Sequence, residues 1–255
     1  MTRRSLIGSA IGAVAYSSAL DGKPLPPAGA ENAPRTRETF DFGWKFFKGD
    51  VPGAQMPGFS DSAWRSVDLP HDWSIEGPYS ETAPTGGPGG YLPTGIGWYR
   101  KRFTTPAAHR REKVVIEFDG VYENSEVWIN GSYLGKRPYG FISFAYDLTP
   151  HLHSGDNVLA VRVDNSLQPN SRFYSGSGIY RHTWLVRTNP IHIAQWGACV
   201  TTPHISAAEA TIRVKTKVRN ESSAAQICSL LSEILDRDNK TAGTAEAKQK
   251  IAPGD

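Results

Sequence analysis

Glu126-Val127-Trp128-Ile129-Asn130-Gly131-Ser132-Tyr133-Leu134 decides the fold class. Four residues of strand character run into Asn-Gly. Both central positions of a tight type I′ turn need positive φ, which Asn and Gly adopt most readily. Tyr133-Leu134 then opens a return strand. The flanks agree with this hairpin. Val114, Ile116 and Phe118 alternate and would share one face. Residues 141–147 read as an aromatic strand, and Leu159, Val161 and Val163 alternate with Ala160 and Arg162. Residues 183–186 form another strand, closed by Asn189-Pro190. Turn signals recur at short spacing with little helical periodicity between them. That pattern predicts an all-β chain, a β-sandwich or jelly roll.

Composition supports a turn-rich β protein. The 255 residues include 25 Gly and 18 Pro, above the average share. Hydrophobic residues make up 39% and charged residues 21%, so the chain can bury a core. The net charge of +3 is too weak to argue for nucleic acid or a membrane surface. No apolar run reaches the length of a spanning helix. Two Cys, Cys199 and Cys228, exclude a disulfide scaffold and are expected to be buried thiols. No acidic or Cys/His cluster calls for a metal, and no motif calls for a cofactor; His151-x-His153 reads as loop surface. Thr85-Gly86-Gly87-Pro88-Gly89-Gly90 lacks the Gly-Lys-Ser/Thr ending of a phosphate loop and reads as a flexible insertion.

The ends of the chain differ from its middle. Thr2-Arg3-Arg4-Ser5-Leu6-Ile7, a short apolar stretch and small-residue exits resemble a twin-arginine export signal. Residues 1–35 are therefore expected to be signal and linker, and the protein periplasmic or extracellular. Residues 36–190 form the first expected domain. From Ile191 a second unit begins: Ile212, Val214, Thr216 and Val218 alternate with Arg213, Lys215, Lys217 and Arg219, a strand with one wet face. Residues 226–235 fit strand and helix spacing alike, and context favours a strand. Three or four strands fit in 191–255, fewer than the roughly seven of an immunoglobulin-like sandwich. The unit is expected to be a truncated one.

Seven phrases in order carry a resemblance. They are Phe42-Gly43-Trp44-Lys45-Phe46, Val67-Asp68-Leu69-Pro70-His71-Asp72-Trp73, Gly95-Ile96-Gly97-Trp98-Tyr99-Arg100-Lys101, Phe118-Asp119-Gly120-Val121-Tyr122, Val127-Trp128-Ile129-Asn130-Gly131, the run from Asn157 to Asn165, and Gly178-Ile179-Tyr180-Arg181. Together they resemble the N-terminal part of glycoside hydrolase family 2, the β-galactosidase, β-glucuronidase and β-mannosidase family, with wording most like the β-galactosidase branch. The resemblance implies a jelly-roll sugar-binding domain, an immunoglobulin-like sandwich and then a (β/α)8 barrel that carries both catalytic glutamates. Retaining hydrolysis needs two carboxyls about 5–5.5 Å apart. No catalytic residue is assigned in this chain: Asn220-Glu221 follows a solvent-alternating strand, and no barrel is expected before residue 255. Alone, the chain is expected to be inactive.

The candidate substrate-binding residues are His71, Asp72, Arg172 and Tyr174. His71 and Asp72 sit in a polar loop, where they either hydrogen-bond a ligand or cap a turn and hold the loop. In the family the loop before Gly-Ile-Tyr-Arg reaches the mouth of the active site, and some members carry an Asp there. Counting back from Gly178, that position is Arg172 here, a departure that suits an acidic sugar or a barrel carboxylate; the alternative is an Arg172 that braces the domain interface. Trp98 and Trp128 are expected in the core between two sheets, and Arg181 is expected to brace the loop by an ion pair. The expected partners are carbohydrate and the barrel of the same polypeptide; a homo-oligomer is compatible with the sequence. Two rivals remain: a free-standing carbohydrate-binding module, and a structural β-sandwich pair. The coding sequence beyond residue 255 separates them.

Overall fold

The computed structural model describes residues 35–105 and 112–254. The expected export signal lies outside them. The chain forms two compact units, Thr36–Arg187 and a second from Thr188 onward that also takes in Arg35. Both are built of strands, as the sequence predicts.

The first unit holds β1 (Arg35–Thr39), β2 (Trp44–Lys48), β3 (Arg65–Val67), β4 (Gly95–Thr105), β5 (Lys113–Phe118), β6 (Ser125–Ile129), β7 (Ser132–Arg137), β8 (Phe144–Asp147), β9 (Gly155–Asn165) and β10 (Thr183–Thr188). They make a four-stranded sheet, β1-β10-β5-β8, and a six-stranded sheet, β3-β2-β4-β9-β6-β7. The core lies between the sheets. Val114, Ile116, Phe118, Phe144 and Leu185 come from the smaller sheet, and Trp44, Phe46, Tyr99, Val127, Ile129, Leu159, Val161 and Val163 from the larger. Each such side chain taken fully from water contributes about 1.5–3 kcal/mol. The period-two alternation of β5, β6 and β9 is thus a record of which face meets the other sheet.

The hairpin forms where Asn-Gly places it. Asn130 and Gly131 have φ of 51° and 82°, and Ile129 pairs with Ser132. The aromatic strand starts later than expected, at Phe144, because residues 140–142 form a turn and bend instead.

Trp98 and Trp128 correct the sequence reading. They do not lie between the sheets. They stack on each other, centroids 5.3 Å apart, on the opposite face of the larger sheet. With Ala54, Trp64 and Ala160 they form a second apolar cluster under the segment that links β2 to β3. Ala160 is therefore as buried as its neighbours Leu159 and Val161. Arg100 secures the cover. Its side chain is fully buried, pairs with Asp61 at 2.9 Å, and donates to the carbonyls of Ala54, Met56 and Phe59.

The second unit contains β11 (Ile191–Ile205), β12 (Ala210–Asn220), β13 (Gln226–Leu235) and β14 (Thr241–Ile251). β11 pairs antiparallel with β12, and β13 with β14. Residues 226–235 are a strand, as preferred. Val214 and Thr216 are buried while Arg213 and Lys215 are exposed. Asn220 ties the ribbons together: its Nδ2 donates to the carbonyls of Ala224 (2.8 Å) and Ile251 (3.0 Å). The buried-thiol expectation is corrected. Cys199 is exposed and Cys228 half-buried, both free, because neither strand pair has a thick core to bury them in.

Candidate functional site

Two segments meet at one end of the first unit: residues 71–77, after Pro70, and residues 165–179, after β9. Backbone bonds hold them side by side. His71 N–H donates to Ile179 O (2.9 Å), Trp73 N–H to Ser177 O (3.1 Å), and Tyr122 and Gly178 exchange both of theirs. Gly178 is required here. Its φ is 126°, and a Cβ would come within 2.7 Å of the His71 carbonyl. That requirement explains the Gly-Ser-Gly stretch preceding Ile179.

Asp72 and Tyr174, both singled out from the sequence, come together. The Tyr174 hydroxyl donates to Asp72 Oδ2. Asp72 Oδ1 accepts the backbone N–H of Ser74 (2.9 Å) and of Ser177 (2.8 Å). The carboxylate therefore stitches the two segments together. Partial burial and this bond push the Tyr174 phenol well above its usual range, so it stays a donor at neutral pH. Gly176 accommodates the approach; a Cβ there would collide with Asp72.

His71 is placed differently. Its ring is buried, with Nδ1 2.7 Å from the Tyr99 hydroxyl and Nε2 2.9 Å from Arg65 Nη2 and 3.2 Å from Glu76 Oε1. Burial lowers its pKa against the opposing pull of Glu76, so the ring is held neutral. His71 thus links the core to the Arg65–Glu76 ion pair, which is 2.5 Å long. Arg172 is exposed and has no hydrogen-bond or ion-pair partner among the described residues. Arg181, expected to form an ion pair, is likewise exposed and without one among those residues, so that expectation is corrected.

Several contributors escaped the sequence reading. Ser74 Oγ donates to Ser177 Oγ (2.7 Å), which also accepts from Asn165 Nδ2 (2.7 Å). Gln168 and Asn170 bond to Asn165 as well. Single Ser and Asn residues in loops carry no pattern, and the Ser74–Ser177 bond joins positions 103 residues apart. The glycine-rich stretch proves to be a succession of bonded turns: Gly89 N–H donates to Thr85 O, and Thr85 Oγ1 to Leu92 O. Thr85, Gly89 and Leu92 flank the same segment as Asn170 and Tyr174.

The site's surroundings are apolar as well as polar. Ile75, Leu167 and Phe173 are exposed on these two segments, Tyr79 just beyond the first, and Tyr139, Phe141 and Ile142 on the 138–143 loop. Tyr122, Tyr139, Phe141 and Tyr180 form a chain of ring contacts.

Known proteins share this arrangement of sequence and fold. Residues 63–189 match the family model described as "Glycosyl hydrolases family 2, sugar binding domain". A β-galactosidase of Bacteroides ovatus is 50% identical over 226 residues, which is 86% of this chain and 27% of that protein. A putative β-glucuronidase of Formosa agariphila is 42% identical over 187 residues, 73% of this chain and 18% of the relative. The chain thus spans about a quarter or less of these relatives' length. Among solved structures, a β-glycosidase from Bacteroides vulgatus superimposes with a TM-score of 0.80 at 42% identity, covering 84% of this chain and 28% of that one. A family 2 β-glucuronidase gives the same TM-score at 30% identity, covering 88% of this chain and 26% of that one. The seven ordered phrases, the two-sheet sandwich and these matches agree: the chain belongs to glycoside hydrolase family 2 and carries that family's sugar-binding domain.

Proposed function

We propose that this chain is the non-catalytic N-terminal portion of an exported glycosidase of the β-galactosidase type. Its first unit is a jelly roll, and its second begins an immunoglobulin-like sandwich. Hydrolysis would belong to a (β/α)8 barrel in the longer polypeptide, where two carboxyls act as acid/base and nucleophile. The chain's part is to buttress that barrel and to line one wall of the sugar pocket. The observation carrying this reading is the junction of residues 71–77 with 165–179, where Asp72 and Tyr174 are already hydrogen-bonded beside an exposed Arg172.

The chemistry of that wall is positional. Asp72 holds the loops while keeping an oxygen on the Tyr174 side, from which a sugar hydroxyl could displace the phenol. Arg172 offers a planar cation suited to a carboxylate. The exposed aliphatic and aromatic side chains around it suit a protein surface more than bulk water.

The test is made in the complete enzyme. Asp72→Asn and Arg172→Ala are compared with the parent by kcat and KM on an aryl β-galactoside. A well-placed hydrogen bond to a charged group contributes about 1.5–3 kcal/mol, so Asp72→Asn is expected to lower kcat/KM roughly tenfold or more. Unchanged kcat and KM in both variants would overturn the pocket reading.

A further inference from the structure

A second recess lies on the other flank of the 71–77 loop, where the end of β2 meets the start of β3. It is an open groove of about 420 Å³ lined by Phe46, Phe47, Lys48, Ala63, Arg65, Trp73, Glu76 and Gly77. That volume is within the range of small-ligand sites. We propose that this groove binds an anionic sugar residue, with the ring against Phe47 and the acidic group between Lys48 and Arg65. The inference rests on the carbohydrate reading above but uses different residues from the Asp72–Tyr174 junction.

Three observations carry it. Phe47 is 42% exposed and is held in place by stacking on Trp64, with centroids 5.6 Å apart and planes 28° apart. A fixed, half-open aromatic face suits the C–H patch of a pyranose and costs little ordering entropy on binding. The second observation is the set of donors. Lys48 is exposed, and its ammonium has no partner among the described residues. Arg65 uses only Nη2, toward Glu76 and His71, and leaves Nε and Nη1 unpartnered among those residues. The third is the state of the groove's one carboxylate. Glu76 Oε2 accepts from Arg65 Nη2, and Oε1 lies 3.2 Å from His71 Nε2, so the carboxylate is held at the Arg65 end of the groove. The lining therefore carries two cations and one carboxylate, a surplus of one positive charge, with spare donors on Lys48 and Arg65. The hydroxyls of a neutral sugar can accept from those donors but bring no charge to balance the surplus cation, whereas a carboxylate or sulfate ester supplies two or three charged oxygens in the geometry a guanidinium matches.

Binding is tested on the 255-residue chain by amide and indole NMR. The probes are sodium glucuronate, galactose 6-sulfate, galactose and sodium sulfate. The expected result is that one or both anionic sugars shift the Lys48 and Arg65 amides and the Trp64 indole, with a Kd in roughly the millimolar range. Galactose and inorganic sulfate should bind about tenfold more weakly or worse. The preferred probe distinguishes a uronate from a sulfate ester. Lys48→Glu and Phe47→Ala, each checked for an intact fold by circular dichroism, should each weaken binding about tenfold. Equal shifts with galactose or with sulfate alone, or undiminished binding by Lys48→Glu, would overturn the proposal. Shifts confined to Asp72, Ser177 and Tyr174 would overturn the groove while leaving the junction site standing. No shift anywhere would overturn the groove and leave the junction to the kinetic test in the complete enzyme.

Discussion

His71 shows how a polar residue in a loop can be turned inward by its neighbours. Proline at position 70 and the bond from His71 N–H to Ile179 O set the backbone. The ring then fills the space beside Phe46, centroids 4.6 Å apart, and reaches Tyr99. Arg65, Glu76 and Asp72 are the charges that act on it. Its pKa falls below the ordinary 6.5 because burial outweighs Glu76. The folded state then binds its proton later than the unfolded state as pH falls. Stability is full above about 6.5 and declines as pH drops toward the lowered folded value. Urea midpoints measured between roughly pH 7.5 and 5 should fall in the parent. His71→Gln should be less stable at pH 7.5 with a flatter pH dependence. An NMR titration giving a ring pKa above 6.5 would reverse the sign. Asp72 and Tyr174 were legible one at a time, as polar residues in turn-rich loops. Their pairing was not, because it spans 102 positions and depends on Gly176 leaving room.

At the scale of elements, the strand from Gly95 to Thr105 illustrates what alternation alone conceals. Its residues Trp98, Tyr99 and Arg100 are all buried, and so are Val158 to Val161 on the strand beside it. Such continuous burial arises because the β2–β3 connection covers the outer face of the larger sheet. A charged residue, Arg100, holds that cover. Removing one partner of a buried ion pair leaves the other uncompensated, at a cost of about 3–5 kcal/mol. Arg100→Ala is therefore expected to lower unfolding free energy by about that amount in urea titrations. It should also raise the exchange of the Ala54 and Trp64 amides, which donate within the segment. A loss under about 1 kcal/mol would mean the segment is held by Trp64 and Trp98 instead. By contrast, the 126–134 hairpin was fully readable, since an Asn-Gly turn is specified by local backbone preference rather than by distant partners.

Across the whole molecule the two units differ in how much apolar surface they bury. Among its described residues the first has a core of nineteen buried side chains plus the second cluster. In the second, the buried hydrophobic residues among those described are Ala194, Val214 and Ile251, while Trp196, Val200, Ile205, Ile227 and Leu231 are exposed. Two-stranded ribbons with so little core are marginal in water. Hydrogen exchange of the isolated chain should show slow amides in β4, β6 and β9 and fast ones across β11–β14. Equal protection of the two sets would show that the ribbons are stabilised by something other than their own core.

The sequence by itself determined the all-β class, the hairpin, most strand positions and the family, because turn chemistry and period-two burial act over a few residues and ordered phrases accumulate. Tertiary structure alone decided that Trp98 and Trp128 face outward under a cover, that His71 joins the core, and that Arg65, Lys48 and Phe47 share a groove. Those outcomes depend on which surfaces meet after the chain closes on itself, and contacts between distant residues leave no local pattern.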